Sequence, residues 1–262
     1  MPAPLAVHTA GDPDAHAVVL LHGFMGSSDD WRPLMASLAG RARLIAPDLP
    51  GHGRSLRRPS AAYTMAGAVT AVRHTLDTLD VGRCTLLGYS MGGRVALAFA
   101  VAHPERIRHL MLESASPGLE AESERAERRA TDAARAARIT DDLRGFLEDW
   151  YRMPLFASLT RHGLVEEMIA RRAANEPREL AASVQGMSPG AQPPLWDALA
   201  TLRVPTLLLT GALDTKYAAL ARRMAARNDA IQRAIIPDAG HTIHAERPAA
   251  FRDHVVRVLP PA

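Results

Sequence analysis

Six short apolar runs, at 17–21, 44–46, 84–88, 110–112, 205–210 and 231–236, are interleaved with longer stretches of helical apolar period at about 30–38, 65–79, 92–102, 217–227 and 249–259. The runs are too apolar to leave one face in water, so they read as strands covered on both faces of a mostly parallel sheet. With amphipathic segments between them, the order is that of an open, doubly wound α/β fold. The chain has 262 residues, 47% hydrophobic and 23% charged, which is ample material for one such core.

The alternation fails between about 116 and 196. There the segment 120–144 is dense in Ala, Glu and Arg, and no strand-like run occurs for about eighty residues. Turn-rich punctuation brackets it, Ser116-Pro117-Gly118 at the start and Ser188-Pro189-Gly190 at the end. The expected division is therefore an α/β core at 1–115 and 197–262, with an all-helical lid at 116–196. An insertion after one strand of an open sheet sits above the carboxyl ends of the strands, where ligands bind.

The formal charge of +3 is spread as single residues and pairs such as Arg57-Arg58 and Arg222-Arg223, without the clustered patch that nucleic acid or a membrane surface requires. Lys216 is the lone lysine among 31 basic side chains. The single cysteine, Cys84, lies in a strand-like run and is expected to be inert core. The first residues lack a basic and then apolar leader, and no apolar run approaches the roughly 20 residues that span a bilayer. A cytoplasmic protein is the expectation.

Gly88-Tyr89-Ser90-Met91-Gly92 follows a strand-like run and precedes a helical pattern, the context of a nucleophile elbow. Glycines two residues either side of Ser90 allow a turn sharp enough to lift the hydroxyl into a cleft. A serine hydroxyl is a feeble nucleophile or base alone, so an acid and then a histidine should follow. Asp214 and His241 do, each just past a strand's carboxyl end. Asp238 is the competing acid, but three residues before His241 on the same loop it is expected as a turn former. His244 is the competing histidine, expected in a capping or surface role. Phe24, after the run 17–21, and Met91 are placed to offer backbone N–H groups to an oxyanion. The Asp48–Ser55 loop, with two glycines, is expected to be structural.

These motifs, in this order, resemble the α/β-hydrolase superfamily across essentially the whole chain. Within it, the blocks Leu21-His-Gly-Phe-Met-Gly26, Gly88-Tyr-Ser-Met-Gly-Gly-Arg-Val-Ala96, Glu113-Ser-Ala-Ser-Pro-Gly-Leu119, Asp149-Trp-Tyr-Arg-Met-Pro-Leu-Phe156 and Gly211-Ala-Leu-Asp-Thr-Lys-Tyr217 are similar to the 2-succinyl-6-hydroxy-2,4-cyclohexadiene-1-carboxylate synthase family. The resemblance implies a lyase of menaquinone biosynthesis that eliminates pyruvate from a cyclohexene polycarboxylate, with no metal or organic cofactor. It implies Ser90, Asp214 and His241 as the catalytic triad, with the serine oxygen acting as base. It further implies Arg94, Arg128 and Arg172 as binding arginines, Tyr89, Trp150 and Phe156 as pocket residues, and a role for Lys216. Guanidinium forks suit a substrate with several carboxylates. Two alternatives stay open: a serine hydrolase of an ester or a carbon–carbon bond, and a non-catalytic binding module on the same scaffold.

Overall fold

The computed structural model, which describes residues 3–260, begins with a strand that the apolar pattern does not reveal, Val7–Ala10 (β1). Its polar His8 and Thr9 suit an edge position, where only one flank is paired. Ala17–Leu21 (β2), Arg32–Leu38 (α1), Arg43–Pro47 (β3), Met65–Thr78 (α2), Cys84–Tyr89 (β4), Met91–Ala102 (α3) and Ile107–Glu113 (β5) follow in the expected alternation. After a run of helices, Glu122–Asp141 (α4), Leu143–Tyr151 (α5), Ala157–Arg161 (α6), Val165–Arg172 (α7), Pro177–Gly186 (α8) and Trp196–Thr201 (α9), the alternation resumes. Thr206–Gly211 (β6), Thr215–Ala225 (α10), Ile231–Ile236 (β7), the short Ile243–Glu246 (α11) and Pro248–Val258 (α12) complete it.

The seven strands lie in the order β1-β3-β2-β4-β5-β6-β7. Only β1 runs antiparallel, its Val7–Ala10 set against Pro47 to Leu44 of β3. In the middle of the sheet every residue of β2 and β4 is buried, as two-sided covering requires. That expectation fails at β7, which is the other edge: Gln232, Arg233 and Ile235 are exposed there. Apolar side chains on one face pack with α2, α3 and α10, including Leu76, Phe99 and Met224. Those on the other pack with α1 and α12 around Trp31, Met35 and Phe251. Cys84 is buried, and burial pushes its thiol up to about 12, which leaves it inert.

Helices α4 to α8 have a small core of their own, built from Ile139, Leu147, Phe156, Leu159, Ile169 and Leu180, with Met25 of the β2–α1 loop inserted into it. Among the described residues, no helix is long and apolar enough to cross a membrane. The Asp48–Ser55 loop is tied to itself and to its neighbours: Asp48 accepts the amides of Ser28 and Arg54 at 2.7 and 2.9 Å, and Ser55 Oγ accepts that of Ala6 at 2.9 Å.

Candidate active site

The turn from β4 to α3 places Ser90 at φ 49° and ψ −107°, a left-handed conformation that costs a side-chain-bearing residue on the order of 1–3 kcal/mol. The turn is held because its backbone is pinned, Ser90 N donating to Glu113 O at 2.9 Å while Ser90 O accepts Arg94 N at 3.1 Å. Close approach demands the flanking glycines. A Cβ at Gly92 would overlap the carbonyls of Leu21 and His22, and one at Gly88 would overlap that of Gly92.

Two loops at the carboxyl ends of β6 and β7 bring the partners to this serine. His241 Nε2 lies 3.1 Å from Ser90 Oγ, and His241 Nδ1 lies 2.7 Å from Asp214 Oδ2. A carboxylate only accepts, so Nδ1 carries the proton and the Nε2 lone pair faces the hydroxyl. Asp214 is also the N-cap of α10, its Oδ1 accepting Tyr217 N at 3.1 Å. Sequence reasoning did not identify Glu246. Its two oxygens accept the amides on either side of the histidine, Gly240 N at 2.6 Å and Thr242 N at 3.0 Å, so one buried carboxylate fixes the loop that carries the imidazole.

The competitors resolve differently from one another. Asp238 sits at φ 52° with its exposed carboxylate on Arg247 at 3.1 Å, a turn residue as expected. His244 is not a surface or capping residue. Its side chain is buried, with Nδ1 2.9 Å from both oxygens of Glu113, because α11 turns inward against the end of β5.

Phe24 and Met91 both line the cavity above Ser90. Met91 opens α3, where amides have no partner within the helix. The Phe24 amide is oriented through its own peptide plane: His22 Nδ1 donates to Gly23 O at 2.7 Å, and His22 Nε2 accepts Leu49 N at 2.9 Å. In a trans peptide the N–H points opposite to that carbonyl. Burial lowers the pKa of His22, which stays neutral, as this pair of bonds requires.

The cavity, about 490 Å³, lies between the strand ends and helices α4 to α8. Ser90, Asp214 and His241 form its floor, while Trp150 and Phe156 stand in its wall with ring centroids 5.8 Å apart. Arg94, Arg128 and Lys216 also reach it. Arg94 is buried, and its fork is held by two neutral acceptors, Gln192 Oε1 at 2.8 Å and Met187 O at 2.7 Å. Burial, then the charge of Arg128, pushes its pKa down to about 10, so it remains a cation at neutral pH.

Two residues implied by the resemblance are not brought to the cavity wall. Arg172 points its fork at Asp30, with Nη1 and Nη2 at 2.9 and 3.0 Å from the two carboxylate oxygens. Burial opposes the charged form of Asp30, but Arg172 and Arg171 outweigh it and hold the carboxyl below its ordinary range. Tyr89 lies behind His241, its ring 5.5 Å away and its hydroxyl 2.9 Å from Thr242 Oγ1. Wall residues that sequence reasoning missed include Asp132, Arg135, Leu213 and Tyr217. A signal existed for the first two, which share a helix face with Arg128 at i+4 and i+7. Among the described residues no three His, Cys, Asp or Glu side chains converge as a metal-ligand set.

The family model for the α/β hydrolase fold matches residues 16–248. A 2-succinyl-6-hydroxy-2,4-cyclohexadiene-1-carboxylate synthase from Salmonella heidelberg (strain SL476) is 38% identical over 255 residues, covering 97% of this chain and 98% of that protein. The chain belongs to that synthase family, on the α/β-hydrolase fold. The solved structure of MenH from S. aureus superposes with a TM-score of 0.89 at 31% identity, covering 96% of this chain and 97% of that one. A thermophilic esterase from Thermogutta terrifontis, solved with malate bound, superposes with a TM-score of 0.83 at 28% identity over 98% of this chain and 94% of its own. The synthase family and an esterase thus share one scaffold, and the cavity walls must decide between their chemistries.

Proposed function

We propose that the chain is a 2-succinyl-6-hydroxy-2,4-cyclohexadiene-1-carboxylate synthase that eliminates pyruvate from 2-succinyl-5-enolpyruvyl-6-hydroxy-3-cyclohexene-1-carboxylate, with Ser90, His241 and Asp214 as its proton-transfer chain. The observation that carries the reading is Arg94: a buried cation at the edge of the serine's cavity, held by neutral acceptors and without a carboxylate partner among the described residues. A buried charge is costly until it is paired, so the site is built for an anionic ligand. The substrate brings carboxylates on its ring, its succinyl arm and its enolpyruvyl group.

Asp214 holds His241 as the Nδ1–H tautomer, and Nε2 takes the proton of Ser90. The serine oxygen then removes the ring proton beside the succinyl ketone. The electron pair moves through the ring double bond and breaks the bond to the enolpyruvyl oxygen, giving the conjugated diene. Enolpyruvate leaves, takes the proton held by His241 and ketonises to pyruvate, while Ser90 keeps the ring proton as its restored hydroxyl. No acyl-enzyme forms. Proton transfer by a positioned group contributes on the order of 10²–10⁴-fold. The ketone oxygen gains charge as the ring proton departs, and the amides of Phe24 and Met91 are placed to stabilise it, each such donor being worth about 2.7–4 kcal/mol. Residues 116–196 act in this reading as a lid that excludes water and supplies cations.

The test is pyruvate release followed with a lactate dehydrogenase couple. Wild type should release one pyruvate per substrate, Ser90→Ala should release none while still binding substrate, and Arg94→Ala should raise KM. Full activity in Ser90→Ala would remove the proposal.

A further inference from the structure

The resemblance gives the site three arginines, yet Arg172 does not line the cavity: it is buried, with both terminal nitrogens turned to Asp30. A different arginine stands in the cavity wall. We infer that Arg135, on α4, is a specificity-determining residue that binds a substrate carboxylate beside Arg128, in the position of a third guanidinium that Arg172 does not fill.

Geometry carries the assignment. Arg128, Asp132 and Arg135 lie at i, i+4 and i+7, hence on one face of α4, and all three line the cavity. The Asp132 side chain is 1% exposed and stands between the two arginines, Oδ2 accepting Arg128 Nε and Oδ1 accepting Arg135 Nη1, both at 2.8 Å. Each arginine therefore gives Asp132 a single N–H and keeps the remainder of its fork. One carboxylate between two guanidiniums leaves an uncompensated positive charge over the cavity. The Arg135 guanidinium also lies over the ring of Trp150, 5.1 Å from its centroid, so its plane is set by a wall residue before any ligand arrives. A fork held on one edge and stacked on one face offers its free edge to a planar carboxylate. Its side chain is 23% exposed, open enough for a ligand and too enclosed for a freely hydrated surface arginine.

This inference rests on the proposed substrate, and the experiment separates the two. Ser90→Ala serves as a silent background, and binding of the enolpyruvyl substrate is measured by titration calorimetry at two salt concentrations. Adding Arg135→Gln should weaken binding by roughly tenfold or more, the effect of a lost charge-assisted contact, and should flatten the salt dependence. Adding Asp30→Asn together with Arg172→Gln, which removes both charges of that pair, should change binding less than about threefold. If Arg135→Gln disturbs the fold by circular dichroism, Arg135→Lys is read instead, with an expected loss of about fivefold because the fork is gone. Unchanged binding in the variant that is read overturns the assignment while pyruvate release by wild type leaves the proposed function standing. Failure of the Ser90→Ala background to bind, with no pyruvate from wild type, overturns both.

Discussion

At the scale of single residues, the proton position on His241 is what separates a base from an inert imidazole. Asp214 accepts from Nδ1, and an amide at that position would offer its NH₂ instead, stabilising the tautomer whose Nε2 already holds a proton. Asp214→Asn should therefore lower kcat by about 10³–10⁴-fold with the fold intact, checked by steady-state pyruvate release and near-ultraviolet circular dichroism. His52 provides a residue-scale test of stability. It is buried beside Phe24 and His22, and burial pushes its pKa down from 6.5 to about 3. A folded-state value below the unfolded one means that the unfolded chain binds the proton first. Its contribution is complete above about pH 6.5 and is lost as pH falls toward 3. Urea unfolding between pH 7 and 4 should show stability falling with acid, and His52→Gln should remove about 1.4 kcal/mol per pH unit of that slope.

At the scale of elements, two devices hold the parts of the site in register. Glu246, at the end of the short α11, fixes the loop carrying His241 through backbone bonds alone. Glu246→Gln keeps one acceptor and turns the other into a donor facing an amide, so the loop should loosen: kcat should fall by about tenfold or more with KM nearly unchanged. The second device is the pair between Asp30, before α1, and Arg172, at the end of α7, which ties the helical segment to the β2–α1 connection. Removing one partner leaves a buried charge, so Asp30→Asn alone should cost about 3–5 kcal/mol, and the double variant with Arg172→Gln should regain much of that in a denaturation cycle. The elements themselves were legible where apolar runs were continuous, as in β2 and β4. Strand β1 was not, since polar His8 and Thr9 interrupt its pattern, whereas β7 was legible as the run 231–236 and only its exposed edge was not. Their burial depends on how many neighbours a strand has, and no local pattern encodes that.

For the whole molecule, the readable part of the site is the part built by local turns. The elbow at Ser90 and the strand ends before Asp214 and His241 are short-range features, and the fold needs only its parallel order to bring them together. The cavity walls are different in kind. Gln192 meets Arg94 across 98 residues, and Arg172 meets Asp30 across 142, pairings that depend on the path of the helical segment over the sheet. A register of arginines along α4 and α7 does not say which one an acid elsewhere will claim. The same triad geometry also suits acyl transfer, so the fate of Ser90 during turnover is the point on which the account turns. The most direct measurement is intact-protein mass spectrometry on samples quenched while the enolpyruvyl substrate is being consumed, with pyruvate counted in parallel. Proton transfer by Ser90 should give stoichiometric pyruvate from a protein whose mass never changes. A substrate-derived adduct on Ser90, or consumption of substrate without pyruvate, would contradict it.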